Sequence, residues 1–225
     1  MRALIAIPAV WLVLAVAVHA QESRAVIVTV GNATLQRAPD VAYVSLGVES
    51  RARTPREAQQ QNAAAAAGVV KRLEQLGIRP ESRRTLGLRL DEEFDTVNGR
   101  RVSRGFVART TLEVRVDEIA RAGEIADAAV QAGATALEGI RFDLKDRAAV
   151  EQEAIRLAVA DARARADAAA AGAGVAIDRV VRIEEGERPQ PIRPVMAMRA
   201  DTVATPVEPG LIDIRIAVTM TVALK

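Results

Sequence analysis

Three features of the sequence predict an α+β fold: an antiparallel or mixed sheet with a βαββαβ (ferredoxin-like) core, a long alanine-rich third helix, and a strand at each end. The first is alternation of apolar and polar residues along several stretches, the longest between Arg83 and Val116. Alternation buries one face of a strand and leaves the other in water. The second is a set of helix start and stop signals between those stretches. The third is their order from Val41 to Leu144: strand, helix, strand, strand, helix, strand. In the split βαβ arrangement this order implies, both helices lie on one face of the sheet.

Residues 1–20 read as a signal peptide. Arg2 precedes an almost unbroken apolar run from Ala3 to Val18, and Val18-His19-Ala20 supplies the small-residue exit before polar Gln21. That pattern describes export with cleavage after Ala20. An uncleaved anchor is the alternative, since the run is near the lower limit for spanning a bilayer. No later segment has enough continuous apolar residues for a membrane helix. Residues 21–225 then form one domain: a 41–145 core, helix and strand at 146–186, a proline-rich loop at 187–210 and a terminal strand at 211–224.

In chain order, Ala25–Val30 is a short apolar strand ending at Gly31-Asn32. Pro39-Asp40 opens the next, with Ala42, Val44, Leu46 and Val48 on one face and Tyr43, Ser45 and Glu49 on the other. Thr54-Pro55-Arg56-Glu57 is a helix start: threonine caps, proline fits the first turn, and Glu57 completes a capping box. Ala58, Ala65, Val69, Leu73 and Leu76 follow at helical steps up to Gly77. Next comes the long hairpin around Asn98-Gly99. A two-residue loop would pair Leu88 with Arg109 and Leu90 with Val107, splitting the apolar set between faces. A three-residue loop, Val97-Asn98-Gly99, pairs Phe94 with Val102, Leu90 with Phe106 and Leu88 with Ala108, and is the expected one.

Asp117 is placed to cap a second helix through Ile119, Ile125, Ala129 and Val130, ending at Gly133. Leu137, Ile140, Phe142 and Leu144 mark a strand, with Gly139 as a bulge. The third helix runs from about Arg147 to Ala171 on a stripe of Val150, Ala154, Leu157, Ala164 and Ala168, narrow enough for close approach to a neighbour. Asp161 and Arg165 form a supportive pair four residues apart. Gly172-Ala173-Gly174 ends this helix, so it lacks the helix N-terminus that a phosphate loop needs. Ile177–Ile183 is a strand. The last strand alternates from Ile212 to Leu224 and pairs either with the N-terminal strand or with a partner chain.

The chain has 31 Lys and Arg against 29 Asp and Glu and no cysteine. Near-balance without a basic tract gives nucleic-acid binding no support. Once Trp11 goes with the leader, Tyr43, Phe94, Phe106 and Phe142 are the remaining aromatics, too few for a stacking platform. An exported chain without disulfides relies on core packing or oligomerisation, which suits a bacterial periplasm.

Several segments together resemble the SIMPL-domain family, mostly bacterial exported proteins that include a periplasmic immunogen and an oxidative-stress defence protein. They are Pro39-Asp40, Thr85 before the Leu-x-Leu run, Gly105-Phe106-x-Ala108, Gly133-Ala134, and Gly139-Ile140-x-Phe142-x-Leu144. The alanine-rich helix and Pro209-Gly210 before the last strand complete the set. The resemblance spans about Ala25 to Leu224. It implies an α+β fold, a periplasmic or outer-membrane-associated location, and ring- or channel-like oligomers in some members, and it brings no established catalytic residues to carry over. Where the family usually has Tyr and, three residues on, Asn, this chain has Phe106 and Arg109.

The only histidine, His19, lies in the leader. A mature chain without His or Cys has no Ser-His or Cys-His nucleophile and none of the usual zinc ligands. Asp91, Glu92, Glu93 and Asp95 near the hairpin tip are candidate oxygen ligands for a hard cation. Their neighbours Arg89, Arg100, Arg101 and Arg104 favour a cross-strand-paired surface. Met196 and Met198 offer a thioether pair for copper(I), or else anchor a loop. Tyr43 and Ser45 face outward, toward a ligand groove or a subunit contact.

No catalytic, cofactor or metal residue is therefore assigned. The expected function is a non-enzymatic, periplasmic, self-assembling homo-oligomer in envelope maintenance or oxidative-stress defence, with possible partners in the envelope and no nucleic acid. The alternatives are a small-molecule or glycan-binding module with the proline-rich loop as its lid, and a carboxylate-dependent hydrolase.

Overall fold

The computed structural model describes residues 25–186 and 208–225. The leader with His19, the pair Met196 and Met198, and most of the proline-rich segment lie outside the described residues. In chain order come β1 (Val26–Arg37), β2 (Val41–Ala52), α1 (Pro55–Gln75), β3 (Arg83–Val97), β4 (Arg100–Val116), α2 (Ala122–Gln131), β5 (Ala136–Asp143), α3 (Arg147–Gly172), β6 (Ile177–Glu185) and β7 (Ile212–Leu224). The fold is α+β, with two antiparallel sheets ordered β3-β4-β2-β5 and β1-β7-β6. None of the described helices is long and apolar enough to cross a membrane.

Alternation correctly assigns β2. Ala42, Val44, Leu46 and Val48 are at most 1% exposed and pack with Leu112, Val114 and Val116 of β4 under α1 and α2. Thr54 caps α1 as expected, its hydroxyl accepting the Glu57 N–H at 3.3 Å. Asn62, an amide that apolar spacing passes over, is 1% exposed on the buried side of α1. Its Nδ2 donates to the carbonyls of Val48 (2.7 Å) and Ala108 (3.0 Å), and its Oδ1 accepts from the Thr110 hydroxyl at 2.5 Å. A buried amide with its partners in place fixes the helix over two particular strands, whereas an unpaired one would cost about 1–3 kcal/mol.

The central hairpin corrects the expected register. Val97 pairs with Arg100, so the loop has two residues, with Asn98 at φ 51° and Gly99 at φ 77°. Two successive left-handed residues match the twist of the strands they join. A register shift at Glu93/Phe94, beside Gly105 at φ 115°, then re-phases the arms. Phe94 pairs with Ser103, Leu90 with Ala108 and Leu88 with Thr110, instead of Val102, Phe106 and Ala108. The apolar set on the hairpin is buried only on β4, at Ala108, Leu112, Val114 and Val116. Leu86, Leu88, Leu90, Phe94 and Val102 are 39–63% exposed, because β3 is an edge strand beyond the cover of α1.

Asp117 does not cap α2. A short 3-10 turn, Ile119–Arg121, intervenes, α2 begins at Ala122 without a side-chain cap, and Asp117 pairs with Arg115 and Lys145. In β5 the expected bulge is present: Gly139 pairs with Ser45 and Leu137 with Leu46, a shift made at Gly139's φ of 154°.

The second sheet is built around α3. Its buried residues are Ala154, Ala158, Ala162, Ala166 and Ala170, whereas Leu157, Ala164 and Ala168 of the expected stripe are exposed. A helix of alanines and charges has little contrast to set its phase, and the sheet sets it instead. The N-terminal strand does not end at Gly31. It runs on to Arg37, because Gly31 is where α3 touches it: a Cβ there would lie 2.1 Å from the Ala158 carbonyl oxygen and 2.3 Å from the Ala162 nitrogen. The Asn32 N–H donates to Asp161 Oδ2 at 2.9 Å beside this contact. β7 pairs with the N-terminal strand β1 from Ile212 to Ala223, and with β6 on its other side from Val218 to Leu224. Asp40 ties the sheets together, its backbone N–H donating to the Asp143 carbonyl (3.1 Å) and its carboxylate accepting from the Lys145 N–H (2.6 Å).

Gly31→Val is expected to cost about 3 kcal/mol or more in urea unfolding through overpacking against backbone. Gly87→Ala, whose added carbon meets nothing within 4 Å, is the control and should stay near wild type. The hydrogen bond from Asn32, then Arg165, hold the Asp161 carboxyl below its ordinary 3.8. Its contribution is therefore fully present above that value and lost as pH falls through the lowered one. In urea midpoints measured between pH 6 and 2.5, Asp161→Asn should lower the plateau and flatten the acid limb; an unchanged limb would contradict the tie.

Candidate functional site

No described cavity is both enclosed and lined with reactive groups, so the site is sought on the surfaces that β2, β3 and β4 leave uncovered. On the sheet face away from α1, alternate residues of β2 and β4 carry charge. Glu49 accepts from Arg109 at 2.5 Å and also pairs with Arg51, which reaches across to Glu93 at 3.1 Å. The hydrogen bond to Glu93, then the charge of Glu49, raise Arg51 above its ordinary pKa, and Glu49 does the same for Arg109. Arg84 of β3 closes on Glu113 at 2.7 Å. The result is a ladder of ion pairs locked to one another.

The acidic residues named from the sequence do not converge. Glu93 turns to Arg51, and Asp95 to Arg104 at 3.4 Å. Asp91 and Glu92 stand opposite Val107 and Phe106. Among the described residues no three acidic side chains come together as a metal-binding group. Arg101 stacks on Phe94, 4.1 Å from the ring centroid. Arg51, Glu93, Phe94 and Arg104 line an open depression of about 450 Å³. It presents charges already matched to each other and no nucleophile.

Tyr43 lies under the Arg141 guanidinium, 4.2 Å from its ring centroid, and Arg141 is bound to Asp143 at 2.6 Å. A cation over an aromatic face is a packing contact that leaves no room for a ligand on that side of the ring. Ser45, half-buried beside it, pairs with Gly139 at the bulge. Gly172 and Gly174 end α3, with Gly174 at φ 69°. Glu49, Arg51 and Arg109 were not assigned a role from sequence. Their signal was available in the outward phase of Glu49, on the face opposite the buried Val48.

What remains is apolar surface on edge strands. Val26, Val28 and Val30 of β1 lie on the side away from α3, and Leu86, Leu88 and Leu90 belong to β3. All six are between 39% and 63% exposed. Apolar side chains in a row along a strand edge are a surface on which a further strand could pair.

The family model that matches this chain is described as SIMPL, protein of unknown function (DUF541), and it matches residues 27–222. The 26 kDa periplasmic immunogenic protein of Brucella melitensis is 30% identical over 174 residues, covering 75% of this chain and 70% of that one. The Brucella abortus protein of the same description aligns with the same identity and coverage. The protein called uncharacterized protein YggE in Escherichia coli K12 is 25% identical over 133 residues, 59% of this chain and 54% of its own.

Glu49→Gln removes the anion shared by Arg51 and Arg109. It is expected to lower the thermal midpoint in low-salt buffer and to lose most of that effect in 1 M NaCl, where screening shortens to about 3 Å. An equal loss at both salt concentrations would mean that Glu49 acts through packing instead of charge.

Proposed function

The chain belongs to the SIMPL family, and from that premise we propose that it is a non-enzymatic exported protein of the periplasm that self-assembles and serves envelope maintenance or oxidative-stress defence. The observation that carries the reading is the row of exposed valines and leucines along the edge strands β1 and β3. Single exposed apolar residues are ordinary, but rows of them along a strand with a free edge are a standing template for another chain.

Export is supported by the basic, apolar and small-residue pattern of residues 1–20 and by the periplasmic description of the Brucella relatives. A non-enzymatic role is supported by residue chemistry. Beyond His19 the chain has neither histidine nor cysteine. The carboxylates Glu49, Glu93 and Asp95 are each engaged by an arginine at 2.5–3.4 Å.

Light scattering on the exported protein should give a mass that is a multiple of the protomer's across micromolar concentrations; a monodisperse monomer over that range would remove self-assembly. A strain lacking the chain should lose viability under hydrogen peroxide or outer-membrane stress and regain it on complementation. Growth equal to wild type under both stresses would remove the physiological half of the reading.

A further inference from the structure

The long edge strand β3 carries its charges in two blocks about Leu90: Arg83, Arg84 and Arg89 precede it, and Asp91, Glu92, Glu93 and Asp95 follow. Most are matched within the chain, Arg83 to Glu74, Arg84 to Glu113, Glu93 to Arg51 and Asp95 to Arg104. Arg89, Asp91 and Glu92 have no ion partner among the described residues. Arg89 also stands directly opposite Arg109, which is bound to Glu49. Like charges facing each other across a ladder repel, so Arg89 lacks an anion on its open side. On the other face, Leu88 and Leu90 stand opposite Thr110 and Ala108 yet are 63% and 39% exposed.

We propose that β3 pairs antiparallel with β3 of a second copy about a two-fold axis through Leu90. This rests on the self-assembly reading above and names its surface. In this register Leu90 meets Leu90 of the second copy. One step away on either side, Arg89 faces Asp91 of the second copy, twice by symmetry. Arg89 and Asp91 each gain a partner, Leu90 packs on its own counterpart, and the outward peptide groups of β3 gain a ladder, with Leu88 opposite Glu92 of the second copy. Charge also selects the register, since a dyad at Arg89 would set two guanidinium groups against each other.

The β1 and β6 edges lack this complementarity. β1 has no charged residue between Val26 and Gln36 to choose a register. On β6, Arg179 and Arg182 are already bound to Asp178 and Glu184.

The test is a charge swap on the full exported chain. Arg89→Asp and Asp91→Arg should each raise the concentration needed for association by about ten-fold or more in light scattering. The double variant R89D/D91R should restore it to near wild type. Leu90→Cys, in a chain with no native cysteine, should form a disulfide-linked dimer on mild oxidation, since residues directly opposite in a ladder are within disulfide reach. The cysteine trap leaves the charges untouched, so it reads the contact even where a charge variant fails to fold. If the wild type assembles but both single variants keep its mass, or the double variant does not recover, or Leu90→Cys stays monomeric, the β3 pairing is wrong and self-assembly stands on another surface. If the wild type is monomeric at every concentration, both readings fall.

Discussion

The contact between α3 and the β1–β7 pair holds the two ends of the described chain in one sheet. Strands from opposite ends are costly to bring together, because the loop between them is nearly the whole domain. They need a shared surface that neither has alone. α3 supplies it by presenting Ala154, Ala158, Ala162, Ala166 and Ala170 every fourth residue, so that its backbone comes down onto the strands. At Gly31 even a methyl group is too large, and β1 contributes bare backbone. Alanine on one side and glycine on the other let the peptide groups approach closely, with Asp161 and Thr29 bridging helix and strand by hydrogen bonds.

The other sheet is held differently. Its core is valine, leucine and isoleucine between two strands and two helices, and Asn62 sets where α1 sits over them. Hydrophobic burial is non-directional, so a helix on an aliphatic sheet can slide at small cost. An amide that must find two carbonyls and a hydroxyl cannot. That fixed position has a consequence at the edge: α1 covers β2 and β4 and stops, leaving the leucines of β3 in water.

Two different surfaces result. The face away from α1 is a ladder of ion pairs in which most charges are matched within the chain. The edge at β3 has uncovered leucines, outward peptide groups and three charges, Arg89, Asp91 and Glu92, without an ion partner among the described residues.

The sequence by itself determined which residues share a face and where most elements begin. The buried phase of β2, the threonine cap of α1, the glycine bulge in β5, the start of α3 and the alternation of β7 are all local patterns, decided by side chains and backbone freedom within a few residues. The family resemblance rested on the same local signals in order. Tertiary structure decided what covers those faces. Alternation along β3 cannot say that α1 ends one strand short, and an alanine-rich helix has no polarity to show which stripe meets a sheet. The hairpin register depended on two bends that compensate, a left-handed turn at Asn98-Gly99 and a shift beside Gly105. Asn62 and Gly31 carry no local sign of burial or close approach. Their roles are set by groups 14 to 48 residues away for Asn62 and by the backbone of Ala158 and Ala162 for Gly31.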